Sequence, residues 1–250
     1  MAELLRVEGL TKRFGEFTAV SRVSLEFQKG ILTSIIGPNG AGKTTLINLI
    51  TGSLHPDEGR IFFNGEDITR LPTDKRVKKG ISRSFQVMNI FPRLTVFKNV
   101  MLPVLARLGK SMRPFSRLED HPDALAEVER ILKGVGLWER KDSIVGELSH
   151  GDQRLLEMSI AVASEPEICF LDEPTSGMNP IERVKVLELV KKMAADGRTT
   201  FVIVEHDMDV VFSLSERIIV MARGEVLADG NPAEIKENQQ VRDVYLGEEL

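Results

Sequence analysis

The distribution of apolar positions divides the chain into segments of different character. Residues 4–28 alternate apolar and polar side chains, which predicts β-strand, and Gly9 and Gly15 interrupt this pattern. Residues 31–36 form a short, mainly apolar run that is long enough for one buried strand, and residues 43–51 carry apolar side chains at helical spacing. The first part of the chain therefore predicts the order strand, glycine loop, helix.

The middle of the chain, residues 86–163, changes to helical periodicity and contains fewer β-branched residues. One amphipathic helical face is marked by Leu125, Val128, Ile131 and Leu132. Residues 109–114 are basic and rich in turn-forming residues, which predicts an exposed loop. We interpret this region as a helical insertion.

Strand patterns return at residues 168–171 and 200–204, and residues 181–194 between them predict a helix. Continuous aliphatic runs separated by helices are typical of parallel strands that are buried on both faces. An α/β fold with a parallel sheet is therefore predicted.

Composition narrows the classes of function. A length of 250 residues suits one large domain, or one domain with an inserted subdomain. The net charge of −4 gives no electrostatic footprint for nucleic acid, so we expect no nucleic-acid partner. The single cysteine, Cys169, lies in an apolar run and reads as a small buried hydrophobe, which fits a reducing compartment.

Targeting signals are not evident in the sequence. The N-terminus lacks the basic-then-apolar order of a signal peptide, and the apolar runs are shorter than the 18 or so residues that mark a spanning helix. We therefore expect a cytoplasmic protein that meets a membrane only through a partner.

Residues 37–44, Gly-Pro-Asn-Gly-Ala-Gly-Lys-Thr, match the phosphate-loop pattern G-x-x-x-x-G-K-[ST] without a mismatch. Glycines let several backbone N–H groups point at one anion, and the loop opens a helix with a positive N-terminus. Lys43 is predicted to reach the outer phosphates and the Thr44 hydroxyl to bind Mg²⁺. A plain glycine turn is the alternative, but the preceding strand and following helix favour the phosphate loop.

Two further strand ends carry polar residues. Asp172 and Glu173 follow one apolar strand, and His206 follows another. Ligands of parallel sheets bind at the carboxyl ends of strands, so these side chains are predicted beside the phosphate loop. Asp172 would hold Mg²⁺ through water, Glu173 would orient or deprotonate the attacking water, and His206 would face the γ-phosphate. The alternatives are solvated acids that cap a strand and a structural histidine.

Together these motifs resemble the nucleotide-binding subunit of ABC transporters, in the order of that family and over nearly the whole chain. The resemblance implies a P-loop NTPase fold with a RecA-like parallel sheet core, a small antiparallel β-subdomain and a helical subdomain. In this fold, residues 1–85 and 164–250 would form the ATP-binding core, and residues 86–163 would form the helical signature subdomain. The cofactors implied are ATP and Mg²⁺.

The resemblance also implies roles for individual residues. Gln86 corresponds to the Q-loop glutamine, which joins Mg²⁺ and senses the transmembrane partner, and with Glu173 and His206 it is a candidate catalytic residue. Phe14 would stack on adenine, or alternatively belong to the core. The predicted nucleotide-binding residues are Phe14, Gly37, Pro38, Asn39, Gly40, Ala41, Gly42, Lys43, Thr44, Thr45, Ser149 and Gly151. The predicted metal ligands are Thr44, Gln86 and Asp172.

Residues 148–152, Leu-Ser-His-Gly-Asp, stand where the family has LSGGQ, the segment that closes over the ATP of a second subunit. His150 replaces a glycine and Asp152 replaces the glutamine. Ser149 with Asp152 also matches a helix capping box, in which Ser149 caps and Asp152 reaches back to the backbone N–H of Ser149. The alternative is that Asp152 accepts hydrogen bonds from the ribose of the partner's ATP. Residues 176–179, Ser-Gly-Met-Asn, resemble the family's D-loop, in which Asn179 stands where aspartate is common.

Further segments resemble importers of branched-chain amino acids, related amides and urea. They are residues 83–86, 91–96, 205–208 and 244–247. This resemblance implies transmembrane permease subunits as partners, a head-to-tail dimer with itself or a related ATPase, and attachment to the inner face of the membrane. The apolar segment 87–91 would receive a permease helix or fill the local core. A soluble ABC ATPase, a lipopolysaccharide-export ATPase and a metabolic kinase are the alternative functions.

Overall fold

The computed structural model describes residues 2–84, 90–110 and 121–246. Gln86 lies outside the described residues, as do three members of the apolar segment (Val87, Met88 and Asn89) and most of the predicted basic loop. The strands in chain order are β1 (Glu3–Phe14), β2 (Phe17–Gln28), β3 (Thr33–Ile36), β4 (Glu58–Phe63), β5 (Glu66–Asp67), β6 (Ile81–Ser84), β7 (Ile168–Asp172), β8 (Thr200–Val204), β9 (Arg217–Ala222) and β10 (Glu225–Gly230). The helices are α1 (Lys43–Thr51), α2 (Thr73–Lys78), α3 (Val96–Arg107), α4 (Pro122–Gly134), α5 (His150–Ala163), α6 (Pro180–Ala195), α7 (Met208–Leu214), α8 (Pro232–Glu237) and α9 (Gln239–Leu246).

The larger sheet has the strand order β10-β9-β3-β8-β7-β6. Strands β9, β3, β8, β7 and β6 are parallel to their neighbours, and β10 joins the edge antiparallel to β9. Every residue of β3, β7 and β8 is buried, as expected for strands that are covered on both faces. The predicted parallel arrangement is confirmed, and β8 lies between β3 and β7.

A smaller antiparallel sheet has the order β2-β1-β4-β5. The sequence predicts that Gly9 breaks the first strand, but β1 continues through this position. Gly9 has φ 59° and lies at a register shift between Val7 and Leu10, so it forms a bulge instead of an end. Gly15 forms the turn to β2, as predicted.

The helices α3, α4 and α5 share a hydrophobic core of their own. On α4 the predicted apolar face holds for Val128, Ile131 and Leu132, which are buried. Leu125 is only half-buried, and Ala124 completes the face. In the described parts of the chain, no helix has the length and apolar character that crossing a bilayer requires.

Cys169 is buried at the centre of β7, as the sequence predicts. Burial raises the pKa of its thiol to about 12, because the apolar surroundings disfavour the thiolate. The native thiol is therefore protected from alkylating reagents, and cysteines introduced at the surface are the reactive ones.

A fully buried arginine closes the end of the phosphate-loop helix. Arg76 on α2 donates hydrogen bonds to the carbonyl oxygens of Leu49 at 2.7 Å and Ile50 at 2.6 Å, near the end of α1. It also donates to Thr69 at 2.9 Å and Leu71 at 2.8 Å. Burial lowers its pKa to about 10, yet the group stays cationic at neutral pH and complements the negative end of the α1 dipole.

We expect Arg76→Met to destabilise the protein by about 2–4 kcal/mol, since it leaves the buried Leu49 and Ile50 carbonyl groups without their charged donor. For a domain of this size the melting temperature should fall by about 5–15 °C. Thermal unfolding measures this. Lys78→Met, an exposed change on the same helix, is the matched control and should shift the free energy of unfolding by less than about 0.5 kcal/mol. Equal melting temperatures for the two variants would contradict the prediction.

Candidate nucleotide site

The predicted phosphate loop lies between β3 and α1 and is enclosed by backbone. Gly37, Gly40 and Gly42 all have positive φ, the region that favours glycine. A Cβ at Gly37 would overlap the carbonyl oxygen of Met221, and one at Gly42 would overlap that of Ala19. The loop therefore needs glycine for its conformation and for its close approach to β2 and β9.

The first turn of α1 presents the groups that an anion needs. Among the residues that the structure describes, no side chain caps this helix N-terminus at Gly42, so its positive end faces the loop. The Lys43 ammonium donates to the carbonyl oxygens of Gly37 at 2.5 Å and Pro38 at 3.0 Å, which holds its charge within the loop. Thr44 is exposed on the same turn, and Thr45 is half-buried. Pro38, Asn39, Gly40 and Ala41 complete the bend between β3 and α1.

Asp172 and Glu173 lie at the carboxyl end of β7, where the sequence predicts them. The side chain of Asp172 is 1% exposed, and its Oδ2 accepts a hydrogen bond from Arg83 at 2.6 Å. Glu173 has φ 46°, a left-handed conformation that is uncommon for a residue with a side chain. Its backbone N–H donates to the carbonyl oxygen of Val204 at the end of β8, 2.9 Å away.

His206 follows β8 and is brought beside Glu173. Its Nδ1 lies 3.9 Å from Oε1 of Glu173 and 4.0 Å from Oε2 of Glu205. Glu205 is buried and accepts from the hydroxyl of Thr175 at 2.7 Å, which ties the loop after β7 to the loop after β8. The side chain of His206 is 67% exposed, so it is a surface group at the sheet edge and not part of the core.

Phe14 ends β1 opposite Phe17 in the hairpin. It is 49% exposed, which excludes the alternative that it is a core aromatic. The ammonium of Lys12 lies 5.8 Å from the centre of its ring. An exposed ring of this kind is available for stacking, and its contact with adenine stays a prediction.

In the signature segment Ser149 is the N-cap of α5, and its hydroxyl accepts from the backbone N–H of Asp152 at 3.2 Å. The expectation that Asp152 reaches back to the Ser149 backbone is wrong. Its carboxylate pairs instead with Arg140, 2.8 Å away on a preceding 3₁₀ turn. Gly151 is buried against α6, where a Cβ would come within 2.7 Å of a Glu182 carboxylate oxygen.

Asn179, the departure in the D-loop segment, has a local structural role. It is the N-cap of α6, and its side-chain oxygen accepts from the backbone N–H groups of Ile181 and Glu182, both at 3.0 Å. Glu182 reciprocates and completes a capping box. Asparagine caps helices as well as aspartate does, so the replacement keeps this turn intact.

Sequence reasoning missed two arginines at this edge. Arg83, at the end of β6, pairs with Asp172, and Arg154 on α5 donates to the carbonyl oxygens of Asp172 and Glu173. Arg83 belongs to the recognised segment 83–86 and Arg154 closely follows residues 148–152, but the sequence alone does not distinguish an arginine with buried contacts from a solvated one.

Comparisons with known proteins agree with this geometry. The sequence profile of the family described as "ABC transporter" matches residues 20–176, and that of "Branched-chain amino acid ATP-binding cassette transporter" matches residues 225–250. The high-affinity branched-chain amino acid transport ATP-binding protein BraF of Pseudomonas aeruginosa is 38% identical over 251 residues, which cover 98% of each chain.

Solved structures agree as well. An ATP-binding cassette of an ABC transporter superposes with a TM-score of 0.85 at 33% identity, covering 98% of this chain and 99% of the other. A dimeric, post-hydrolysis ATP-binding cassette bound to ADP and Pi gives a TM-score of 0.77 at 28% identity, covering 92% of this chain and 99% of the other.

The parallel sheet, the phosphate loop and the acidic strand end define a P-loop ATPase. The profile match and the full-length relatives narrow this class, and the chain belongs to the ABC transporter family. It is an ATP-binding subunit of that family, whose members hydrolyse ATP to power transport.

We expect the Asp152–Arg140 pair to stabilise the start of α5 by about 0.2–1 kcal/mol, since both groups are partly exposed. A double-mutant cycle measured by thermal unfolding tests this, with the variants Asp152→Ala, Arg140→Ala and their combination. The double variant should lose less stability than the sum of the two single losses.

The native protein should hydrolyse ATP and 2′-deoxy-ATP alike. A preference for ATP that Asp152→Ala abolishes would instead support a ribose contact.

Proposed function

We propose that the chain binds ATP with Mg²⁺ and that its hydrolysis of ATP powers the import of branched-chain amino acids or related amides. The observation that carries the ATPase chemistry is the meeting of the phosphate loop, Glu173 and His206 at one edge of the sheet. The substrate class is supported by the name of the Pseudomonas relative and by the family match over residues 225–250.

Phosphate binding would follow from the loop between β3 and α1. Its backbone N–H groups and the α1 N-terminus would hold the phosphates, and the Lys43 ammonium would turn from the loop carbonyls to the outer phosphates. Phe14 would stack on the adenine ring. Thr45, one residue further along α1, would lie beside the phosphates.

The donor set fits Mg²⁺, which prefers oxygen ligands and several waters. Thr44 would supply its exposed hydroxyl, Asp172 its carboxylate through water, and Gln86 its amide oxygen. Arg83 lies 2.6 Å from Oδ2 of Asp172, so it orients that carboxylate. When bound, Mg²⁺ would neutralise charge on the outer phosphates.

In hydrolysis, a water oxygen would form a bond to the γ-phosphorus while the bond to the bridging oxygen of ADP breaks. The Glu173 carboxylate would orient this water and accept its proton. His206 lies 3.9 Å from Glu173 and would contact the γ-phosphate. ADP and inorganic phosphate would be the products.

A second subunit, either a copy of this chain or a related ATPase, would complete the site. The exposed Ser149 and the backbone of Gly151 would face the ATP of the partner in a head-to-tail dimer. Next to the D-loop segment, α6 leaves Ile181 72% and Val184 54% exposed, which gives an apolar surface for such a partner.

Permease subunits would hold the protein at the inner face of the cell membrane. Phe91 is 56% exposed, although its backbone is fixed by the buried Asn99, which bonds to its N–H at 2.8 Å and its carbonyl at 3.1 Å. Ile90 packs against the helical core. An exposed aromatic ring on a fixed backbone suits the docking of a permease helix beside the Q-loop.

We expect Glu173→Gln to lower the rate of ATP hydrolysis by about 10²–10⁴-fold while nucleotide binding is retained, because the amide cannot accept a proton. The same variant should form an ATP-stabilised dimer on gel filtration and should abolish leucine uptake in cells that carry the permease subunits. Steady-state ATPase and radiolabelled uptake measure these effects. Near-native turnover in Glu173→Gln would mean that another group is the base.

We expect a cysteine at position 91 to crosslink to a permease subunit, whereas Val77→Cys on α2, which replaces a residue that is 46% exposed, should not. Cys169 is buried with a pKa of about 12, so the introduced thiol reacts selectively. The crosslink is measured in purified complexes by gel shift. Co-purification without any crosslink at position 91 would place the permease elsewhere, and failure to co-purify would favour a soluble ATPase.

A further inference from the structure

The guanidinium of Arg154 connects α5, the helix that follows Ser149, to the end of β7. Arg154 lies on α5, five residues after the N-cap Ser149, and its side chain is 12% exposed. Its Nη2 donates to the carbonyl oxygen of Glu173 at 2.7 Å and to that of Asp172 at 3.1 Å. Its Nη1 donates to Oε2 of Glu157 at 2.6 Å, which fixes the guanidinium from its own helix.

The backbone that Arg154 holds is in an uncommon conformation. Glu173 has φ 46°, where a Cβ crowds the backbone, so the residue keeps this conformation only if its neighbours enforce it. The Glu173 amide is held by the carbonyl oxygen of Val204 at 2.9 Å, and its carbonyl is held by Arg154. The peptide groups on both sides are therefore fixed, and the direction of the Glu173 side chain is set by them.

We propose that Arg154 is a positioning residue for hydrolysis, which aligns Glu173 through its backbone and makes that alignment depend on α5. This inference rests on the proposed role of Glu173 as the base. The N-cap Ser149 and Gly151 in the first turn of α5 are the groups predicted to meet the ATP of the opposite subunit. Arg154 thus links the helix that senses the partner's nucleotide to the base that acts on the chain's own nucleotide.

Two substitutions separate this role from support of the fold. Arg154→Lys keeps one positive charge but cannot donate to both carbonyl groups and to Glu157 at once. Arg154→Met combined with Glu157→Leu removes the guanidinium without leaving a buried carboxylate unpaired. The single change Glu157→Gln is the matched control, because its amide oxygen can still accept from Arg154.

Both Arg154 variants should lower kcat by about 10- to 100-fold, since small displacements of a catalytic group have effects of this size. KM and the affinity for a fluorescent ATP analogue should stay close to those of the Glu157→Gln control. The assays are run well below the melting temperature of each variant, because the loss of a donor to two carbonyl groups lowers stability. The control itself should keep kcat within about twofold of the native protein. A kcat within twofold of native in both Arg154 variants would overturn the proposal, as would a loss seen only in KM.

A second measurement, single-turnover hydrolysis in the Glu173→Gln background, tests whether Arg154 acts through Glu173. If Arg154 acts through Glu173, Arg154→Lys should change the residual single-turnover hydrolysis of Glu173→Gln by less than about twofold. A loss of the same factor in both backgrounds would show a merely structural role and would reject the proposal. Near-native hydrolysis by Glu173→Gln alone would instead reject the assigned base, whatever the Arg154 variants do.

Discussion

The parallel order of β3, β8 and β7 is the constraint on which the site depends. Because β8 lies between the other two, the phosphate loop after β3, His206 after β8 and Asp172 at the end of β7 meet at one edge. All three strands are buried on both faces, so their register is fixed by the core rather than by any ligand.

Three arginines that are buried or largely buried connect the elements around this sheet. Arg76 closes the C-terminal end of the phosphate-loop helix, Arg83 pairs with Asp172, and Arg154 ties α5 to the end of β7. A guanidinium presents several donors in a fixed plane, so one side chain can satisfy carbonyl groups on separate elements. Each of these arginines connects an element near the nucleotide site to another part of the chain. If one of the connected elements moves, the geometry of the arginine's hydrogen bonds to the other element changes.

Sequence patterns predicted the elements whose periodicity is set by the core. The bounds of α1 and β8 are as predicted, since β8 is buried throughout and α1 buries its apolar face. The strand predicted over residues 31–36 begins only at Thr33, so its start was predicted two residues too early. Short local motifs predicted hydrogen-bond partners and strand ends less reliably. The bulge at Gly9 and the Asp152–Arg140 pair depend on neighbours in space that spacing does not reveal. For the same reason Arg83 and Arg154 were not found. The boundaries of the helical subdomain stay a prediction.

The exposure of the sheet edge that carries Glu173 and His206 bears on how the proposed hydrolysis is controlled. The side chains of Glu173 and His206 are 31% and 67% exposed, and Ser149 is exposed on a separate helix. Electrostatic stabilisation of a reacting phosphate is strongest where bulk water is excluded. A single chain leaves this edge open to solvent, so in the proposed mechanism a covering surface would be needed before the phosphate loop and Glu173 could act at full strength. In the proposed dimer, residues 148–152 of a second subunit would supply that surface, and hydrolysis would then depend on closure of the dimer.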